Sequence, residues 1–349
     1  MTGSKYSLYT AIIIFHNQLA FMTIQQLLKT APVTTVLLIS FIGLFLMQVL
    51  TGVDANNPST EALLKWGANA LPFTMGDEPW RLVSSAFLHI GLMHLLFNGF
   101  AMYFFGQIAE PMFGSAKFLA LFLLAAIGGN LLNNYVTWHS ILEGSGQQGL
   151  SAGASGGIMG IGAALLIAAL FKISVNGMVL NLKSLIFIMG INLVYGFAVP
   201  GIDNAGHIGG ALTGLVIALA FSVAYRQRMT IALQNRPNPA TYKDRYQTNY
   251  INFPASSDTD SPANNEHFNN VNFDNNSRFY PDSAVNTHLN THANHSHLSE
   301  QKTRKKSILI WQILPWLIIL LISIGFVWWW QDIHNQILQV LKTIEQSTV

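Results

Sequence analysis

A serine, two histidines and an asparagine carry side chains that could together hydrolyse an amide or ester bond. Ser155 lies in Gly153-Ala-Ser155-Gly-Gly157, the letter pattern of a hydrolase nucleophile elbow, and its hydroxyl could attack a carbonyl carbon. His207 could take the serine proton and return it to the leaving group. His94 and Asn98 are four residues apart and share one helix face, so both could donate to a developing oxyanion.

Each of these residues also has a simpler structural interpretation. His94 and Asn98 could be interhelical hydrogen-bonding partners that contribute about 1 kcal/mol each. A membrane serine among glycines more often serves close helix contact, and Gly156 and Gly160 form such a small-residue pair. Ser155 lies near a predicted helix start, however, where free backbone N–H groups favour an adjacent negative charge.

Asp203 precedes His207 by four residues and could complete a catalytic triad. We disfavour that role because Asp203 is predicted to lie in a loop. The sequence leaves the question open.

The elements that must position these residues are membrane helices. The chain is 51% hydrophobic and 10% charged, with a mean hydropathy of +0.36, whereas soluble proteins carry about 25% charged residues. A nucleophile elbow needs a buried strand in a soluble α/β domain, so the composition excludes it. The sequence predicts an all-α polytopic membrane protein.

Seven apolar stretches are long enough to cross a bilayer as helices. They are predicted at 31–52, 84–106, 117–138, 152–171, 182–199, 206–225 and 307–330. The last has no charge, contains Pro315 as an expected kink, and ends in Trp328, Trp329 and Trp330, which favour a membrane interface.

The distribution of Lys and Arg predicts the orientation. With residues 1–30 as a cytoplasmic segment, most basic residues fall on the inner side, and the tail 331–349 falls outside. We expect no removable signal peptide, and either Met1 or Met22 could be the true start. We expect an integral multi-pass protein of a bacterial inner membrane.

Residues 226–306 are rich in Asn, Ser, Asp and Pro and poor in aliphatic residues. Such a composition cannot bury a core, so we predict a disordered, Asn-rich cytoplasmic linker. The chain has no cysteine, which excludes disulfide and thiol chemistry.

Polar residues inside the predicted spans are expensive and mark function or structural pairing. Besides the four residues above they include His89, Asn130, Asn133, Asn134, Asn181 and Asn192.

Five motifs in chain order resemble those of the rhomboid family of intramembrane serine proteases over residues 31–225. They are Trp66-Gly-Ala-Asn69 with Trp80-Arg81, Phe87 to His94 with Asn98, Glu110-Pro-Met-Phe-Gly114, Gly153-Ala-Ser-Gly156 and Gly206-His-Ile-Gly-Gly210.

The resemblance implies a six-helix core at 31–225 plus a seventh helix at 307–330. It also implies a Ser155–His207 dyad without an acid, and an oxyanion hole made by His94, Asn98 and the Ser155 N–H. The substrates would be transmembrane proteins in the bilayer. The reaction would need no metal or organic cofactor, and the protein would bind no nucleic acid. The oligomeric state is left open. Trp80, Arg81 and Glu110 would be structural. Substrate access would involve the fifth span and the loop 200–205, which holds Pro200 and Gly201 and could act as a hinge or cap.

The sequence departs from the family pattern at two positions. Gly206 replaces the usual alanine before the base, and Met159 stands where many members have an aromatic ring against the histidine. Methionine can also pack on an imidazole, so activity is expected. The alternatives are a rhomboid-like scaffold that binds membrane clients without cutting them, disfavoured because Ser155 and His207 are both present, and a transporter, for which no inverted repeat or intramembrane acid is seen.

Overall fold

The computed structural model describes residues 23–146, 149–173, 202–234 and 291–347, together with a few residues between 182 and 190. The chain divides into two units, one of residues 1–226 and 311–349 and the other of residues 227–310. The packing that follows concerns the first unit.

The protein is an all-α polytopic membrane protein, and its described residues include one short β-pairing. Its helices are α1 (Ile24–Thr30), α2 (Pro32–Leu50), α3 (Thr60–Lys65), α4 (Leu71–Thr74), α5 (Arg81–Ser84), α6 (Leu92–Phe113), α7 (Ser115–Leu142), α8 (Ser155–Leu170), α9 (Asn204–Gln234) and α10 (Thr291–Ser347). Strands β1 (Asn69–Ala70) and β2 (Leu150–Ser151) pair antiparallel. Among the described residues, α2, α6, α7, α9 and the part of α10 from Leu309 are long and apolar enough to cross a membrane, and α8 is a shorter apolar helix.

The second predicted span, 84–106, is displaced along the chain. Residues 84–91 form the end of α5, a turn of 3-10 helix and a loop, and α6 begins only at Leu92. Gly91 has a φ of +90°, a conformation that interrupts a helix and suits only glycine. At the other end α6 continues past Pro111 to Phe113 and stops at Gly114, whose φ is +84°.

Most of the fifth predicted span, 182–199, lies outside the described residues, as do Asn181, Asn192, Pro200 and Gly201. So does the central part of the predicted linker, residues 235–290. The helices extend into both ends of that linker, because α9 continues to Gln234 and α10 starts at Thr291. The seventh predicted span is therefore part of a longer helix that contains Pro315.

The core forms where α7 packs between its neighbours. Of the candidate spans, α7 has the largest buried share, at 56%. Phe41 of α2, Phe122 of α7, Ile161 of α8 and Ile217 of α9 are fully buried in one apolar cluster. This cluster holds the helices that carry the candidate site.

Glu110 ties three helices together although it is 1% exposed. Its carboxylate accepts hydrogen bonds from the backbone N–H groups of Val33 and Thr34 at 2.9 and 2.8 Å, from the Thr34 hydroxyl at 2.8 Å, and from the Ser115 hydroxyl at 2.6 Å. A carboxylate at a helix N-terminus satisfies donors that have no intrahelical acceptor. Glu110 of α6 therefore fixes the first turn of α2 and the start of α7.

Arg81 organises the long loop between α2 and α6. Its guanidinium is paired with Glu78, donates to the carbonyl oxygens of Leu64 and Ala68, and lies over the rings of Phe73 and Trp80. These contacts agree with a structural part for this loop.

Candidate active site

Ser155 is the first residue of α8, as the sequence predicted for a helix N-terminus. The chain enters α8 through Gly153, whose φ is +148° and whose N–H donates to the carbonyl of Ser85 at 2.9 Å. Because the first N–H groups of a helix have no intrahelical acceptors, they are available to an anion at this point. The strand before the serine, β2, has only two residues and pairs with a two-residue strand, so Ser155 does not follow the long buried strand that a nucleophile elbow needs.

Helices α8 and α9 touch backbone to backbone along their glycines. A Cβ atom built on Gly210 would lie 2.1 Å from the carbonyl oxygen of Gly156, and one built on Gly214 would lie 2.1 Å from that of Gly160. At the start of both helices, a Cβ atom on Gly156 would be 3.3 Å from the carbonyl oxygen of Gly206. Gly156 and Gly206 are the sequence neighbours of Ser155 and His207, so both candidate side chains start from the same level of this helix pair.

The imidazole of His94 lies against the loop that precedes Ser155. A Cβ atom on Gly153 would be 2.6 Å from His94 Cε1 and 3.0 Å from Nε2, so only glycine leaves room for this ring. The backbone N–H of Ile90 donates to His94 Nδ1 at 3.3 Å. In a neutral imidazole the proton is then on Nε2, which is the ring nitrogen that faces the loop.

Asn98 is 6% exposed and its amide group is partly engaged. Its Nδ2 donates to the carbonyl oxygen of His94, one turn earlier in α6, at 2.9 Å. The amide has two N–H groups, so one donor remains for a ligand. The two residues share the face that their spacing predicts, yet they differ in how freely they can donate.

Asp203 caps the start of α9. Its Oδ1 accepts hydrogen bonds from the backbone N–H of Gly206 at 2.7 Å and from Asn133 Nδ2 at 2.9 Å. Its backbone carbonyl accepts from the N–H of His207 at 3.1 Å. The hydrogen bonds that Oδ1 accepts thus come from a backbone N–H and an amide group.

The asparagines of α7 connect the site to the loop region. Asn130 Nδ2 donates to the Ser85 hydroxyl at 2.8 Å and to the carbonyl of Leu82 at 2.9 Å. Asn133 and Asn134 both bond the side chain of Asn69, which is fully buried in β1. Their spacing by three and four residues places all three on one face of α7, a signal that pointed to pairing but not to these partners.

A small polar cavity lies beside Ser155. It is lined by Ala126, Gly129, Asn130, Ser151, Gly153, Ser155, Gly156, Asp203 and Gly206. The serine thus faces a polar space between α7, α8 and α9.

Comparison with known proteins finds relatives of this chain. The family model for the rhomboid domain matches residues 76–224. The chain is 36% identical over 184 residues to the rhomboid protease GluP of Bacillus subtilis (strain 168), a region of 52% of this chain and 34% of that protein. It is 34% identical over 162 residues to RHOMBOID-like protein 6, mitochondrial, of Arabidopsis thaliana, covering 46% of this chain and 50% of that protein.

A third relative is the rhomboid protease AarA of Providencia stuartii, 29% identical over 210 residues, which are 56% of this chain and 74% of that protein. The chain therefore spans half or less of the length of GluP and RHOMBOID-like protein 6.

Proposed function

Because the chain belongs to the rhomboid family, we propose that it is an intramembrane serine endopeptidase. It hydrolyses peptide bonds in or next to the transmembrane segments of other membrane proteins. The observation that carries this proposal is the backbone contact of α8 with α9 at Gly156 and Gly206, which are next in sequence to Ser155 and His207.

In the proposed reaction, Ser155 Oγ attacks the carbonyl carbon of the scissile bond while His207 accepts the hydroxyl proton. His207 then gives this proton to the leaving amine as the C–N bond breaks, which leaves an acyl ester on Ser155. A water molecule, deprotonated by His207, hydrolyses the ester and restores the serine. Water must reach the site within the bilayer, and the polar cavity beside Ser155 supports this requirement.

The negative charge on the tetrahedral intermediate is stabilised by three donors: the Ser155 N–H, His94 Nε2–H and the free N–H of Asn98. Donors held in place before the reaction are effective because they need no reorganisation as charge develops. The contact of His94 with Gly153 supports its part in this set.

We further propose the domain arrangement and topology that the sequence favours. Residues 31–225 form the protease core, 226–306 a cytoplasmic linker, 307–330 the seventh span, and 331–349 an outer tail. The protein is then an inner-membrane enzyme of a bacterium, with residues 1–30 in the cytoplasm. Its substrate segment must unwind before cleavage, so small or helix-breaking residues near the scissile bond are preferred.

The test compares the purified full-length protein with Ser155→Ala and His207→Ala, in detergent and in liposomes, on a tagged single-span substrate. We expect the wild type to cut and both variants to fall to background, with the same thermal midpoint as the wild type. Cleavage that survives Ser155→Ala would overturn the mechanism. A folded wild type that neither cuts nor reacts with a fluorophosphonate probe would support the client-binding scaffold instead.

A further inference from the structure

We infer that Asn69, Asn133 and Asp203 form a hydrogen-bonded bridge that aligns the helix carrying His207 with the chain segment leading to Ser155. In this bridge Asp203 acts through its acceptor oxygen, and its negative charge is not required. The inference rests on the proposed function, because it concerns the alignment of the same two side chains.

The bridge is continuous from the first loop to α9. Asn69 Nδ2 donates to Asn133 Oδ1 at 3.3 Å, and Asn133 Nδ2 donates to Asp203 Oδ1 at 2.9 Å. The same Asp203 oxygen accepts from the backbone N–H of Gly206 at 2.7 Å. Asn69 is held from the other side by Asn134, whose Nδ2 donates to its Oδ1 at 2.8 Å.

The other end of the bridge is joined to the nucleophile segment through backbone. Asn69 of β1 is the register partner of Ser151 in β2, four residues before Ser155. Asn69 therefore contacts both the strand that enters the serine loop and, through Asn133 and Asp203, the first turn of α9. Asn69 is 0% and Asn133 7% exposed, so these bonds are shielded from competing water.

The bridge also explains the departure from the family pattern at Gly206. A Cβ atom on Gly206 would lie 2.2 Å from Asp203 Oδ2 and 2.7 Å from its carboxyl carbon. An alanine would force this carboxylate to rotate, and the bonds to Gly206 N–H and Asn133 would be lost together. Gly206 and Asp203 are thus a matched pair, and the glycine is required by the aspartate.

The experiment measures the rate at which a fluorophosphonate probe labels Ser155 in the full-length protein, with probe-concentration dependence to separate binding from reaction. Asp203→Ala removes the acceptor, whereas Asp203→Asn keeps an acceptor Oδ1, removes the charge and replaces Oδ2 by an NH2 group. Gly206→Ala and the double variant Asp203→Ala/Gly206→Ala complete a cycle. Ser222→Ala is the matched control, since Ser222 is buried in the same helix and its hydroxyl has no hydrogen-bonding partner within the described part of the chain.

We expect Asp203→Ala to lower the reaction rate roughly tenfold to a hundredfold, the usual effect of a small misplacement of reacting groups. Asp203→Asn should stay within about threefold of the wild type, because a neutral acceptor loses only the extra strength of a charged hydrogen bond. Gly206→Ala should slow the wild type but add nothing to Asp203→Ala. Ser222→Ala should label at the wild-type rate.

Two results would overturn the bridge. If Asp203→Asn is as slow as Asp203→Ala, the negative charge is required, and Asp203 acts on His207 as the carboxylate of a catalytic triad does. If Asp203→Ala labels as fast as the wild type at an unchanged thermal midpoint, the bridge has no part in alignment. Absence of labelling in the wild type, by contrast, counts against the proposed function.

Amide hydrogen exchange tests the bridge without any activity. The peptide that contains Gly206 should exchange faster in Asp203→Ala and remain protected in Asp203→Asn, because only the first variant removes the acceptor of the Gly206 N–H. Equal exchange in both variants would contradict the bridge even in a protein that labels poorly.

Discussion

His94 and Asn98 occupy the same face of α6 but are not equally placed to stabilise an oxyanion. The Ile90 N–H holds His94 Nδ1, so the Nε2 proton is directed toward Gly153 and the start of α8. Asn98 already donates one amide N–H to the carbonyl oxygen of His94. The two donors should therefore differ in their contribution to catalysis.

We predict that His94→Ala lowers kcat roughly 100-fold to 1000-fold, the range for loss of one preorganised oxyanion donor. Asn98→Ala should cost less, about tenfold, because the bond to the His94 carbonyl, and not the oxyanion, sets the direction of the remaining N–H. Cleavage kinetics on the single-span substrate, with KM and kcat resolved, checks this order. Equal losses, or a larger loss for Asn98→Ala, would show that His94 is not the stronger of the two oxyanion donors.

Much of the site at this scale could be predicted from the sequence. The predicted span 152–171 put Ser155 near a helix start, and the four-residue spacing of His94 and Asn98 indicated a shared helix face; the structure has both. The bonds that link Asp203 to Asn133 and Asn133 to Asn69 could not be predicted, because each joins residues more than 60 positions apart and side-chain pairing at that separation leaves no local pattern. The meaning of Gly206 depended on those partners and was missed with them.

At the scale of elements, glycine spacing predicted close packing of α8 and α9, and the structure shows how close it is. Helix boundaries were less predictable. The apolar run 84–106 suggested one span, whereas Gly91 separates the loop from α6, and α6 continues to Phe113 past Glu110, which bonds donors of α2 and α7. A hydropathy pattern records the apolar surface, and it cannot record a polar residue whose partners come from other helices.

The glycine contact between α8 and α9 gives a prediction for Gly210→Ala. Its new methyl group would meet the backbone carbonyl of Gly156, which cannot move aside as a flexible side chain could. We expect a loss of roughly 1–3 kcal/mol of stability, as for other overpacked sites, with a lower thermal midpoint and slower labelling of Ser155. Gly43→Ala in α2 is the matched control, because a Cβ atom there has nothing within 4 Å. Equal effects of the two variants would mean that helix propensity, and not the contact, decides the outcome.

For the whole molecule, α10 is bonded to the end of α4, the short helix that follows β1. Trp330 Nε1 donates to the carbonyl of Thr74 at 2.8 Å, and His334 Nδ1 lies 2.5 Å from the carbonyl oxygen of Met75. Trp330 was expected to mark a membrane interface, and in the structure its indole N–H is bonded to the protein itself. Helix α4 begins at Leu71, two residues after Asn69, so α10 supports the region from which the Asn69 bridge starts.

Ile333 is the apolar centre of this contact, and its truncation should weaken the packing of α10 against α4. It is 0% exposed and packs in a cluster with Leu71, Met75, Leu82, Leu131 and Trp138. We predict that Ile333→Ala costs about 2–5 kcal/mol, the usual loss for a buried isoleucine, and lowers the thermal midpoint of the full-length protein in detergent. Ile344→Ala makes the same chemical change at a position of α10 that is 54% exposed, and it should shift stability by no more than about 0.5 kcal/mol. Should the two variants melt at the same temperature, the packing of α10 against α4 would not contribute to the stability of the core.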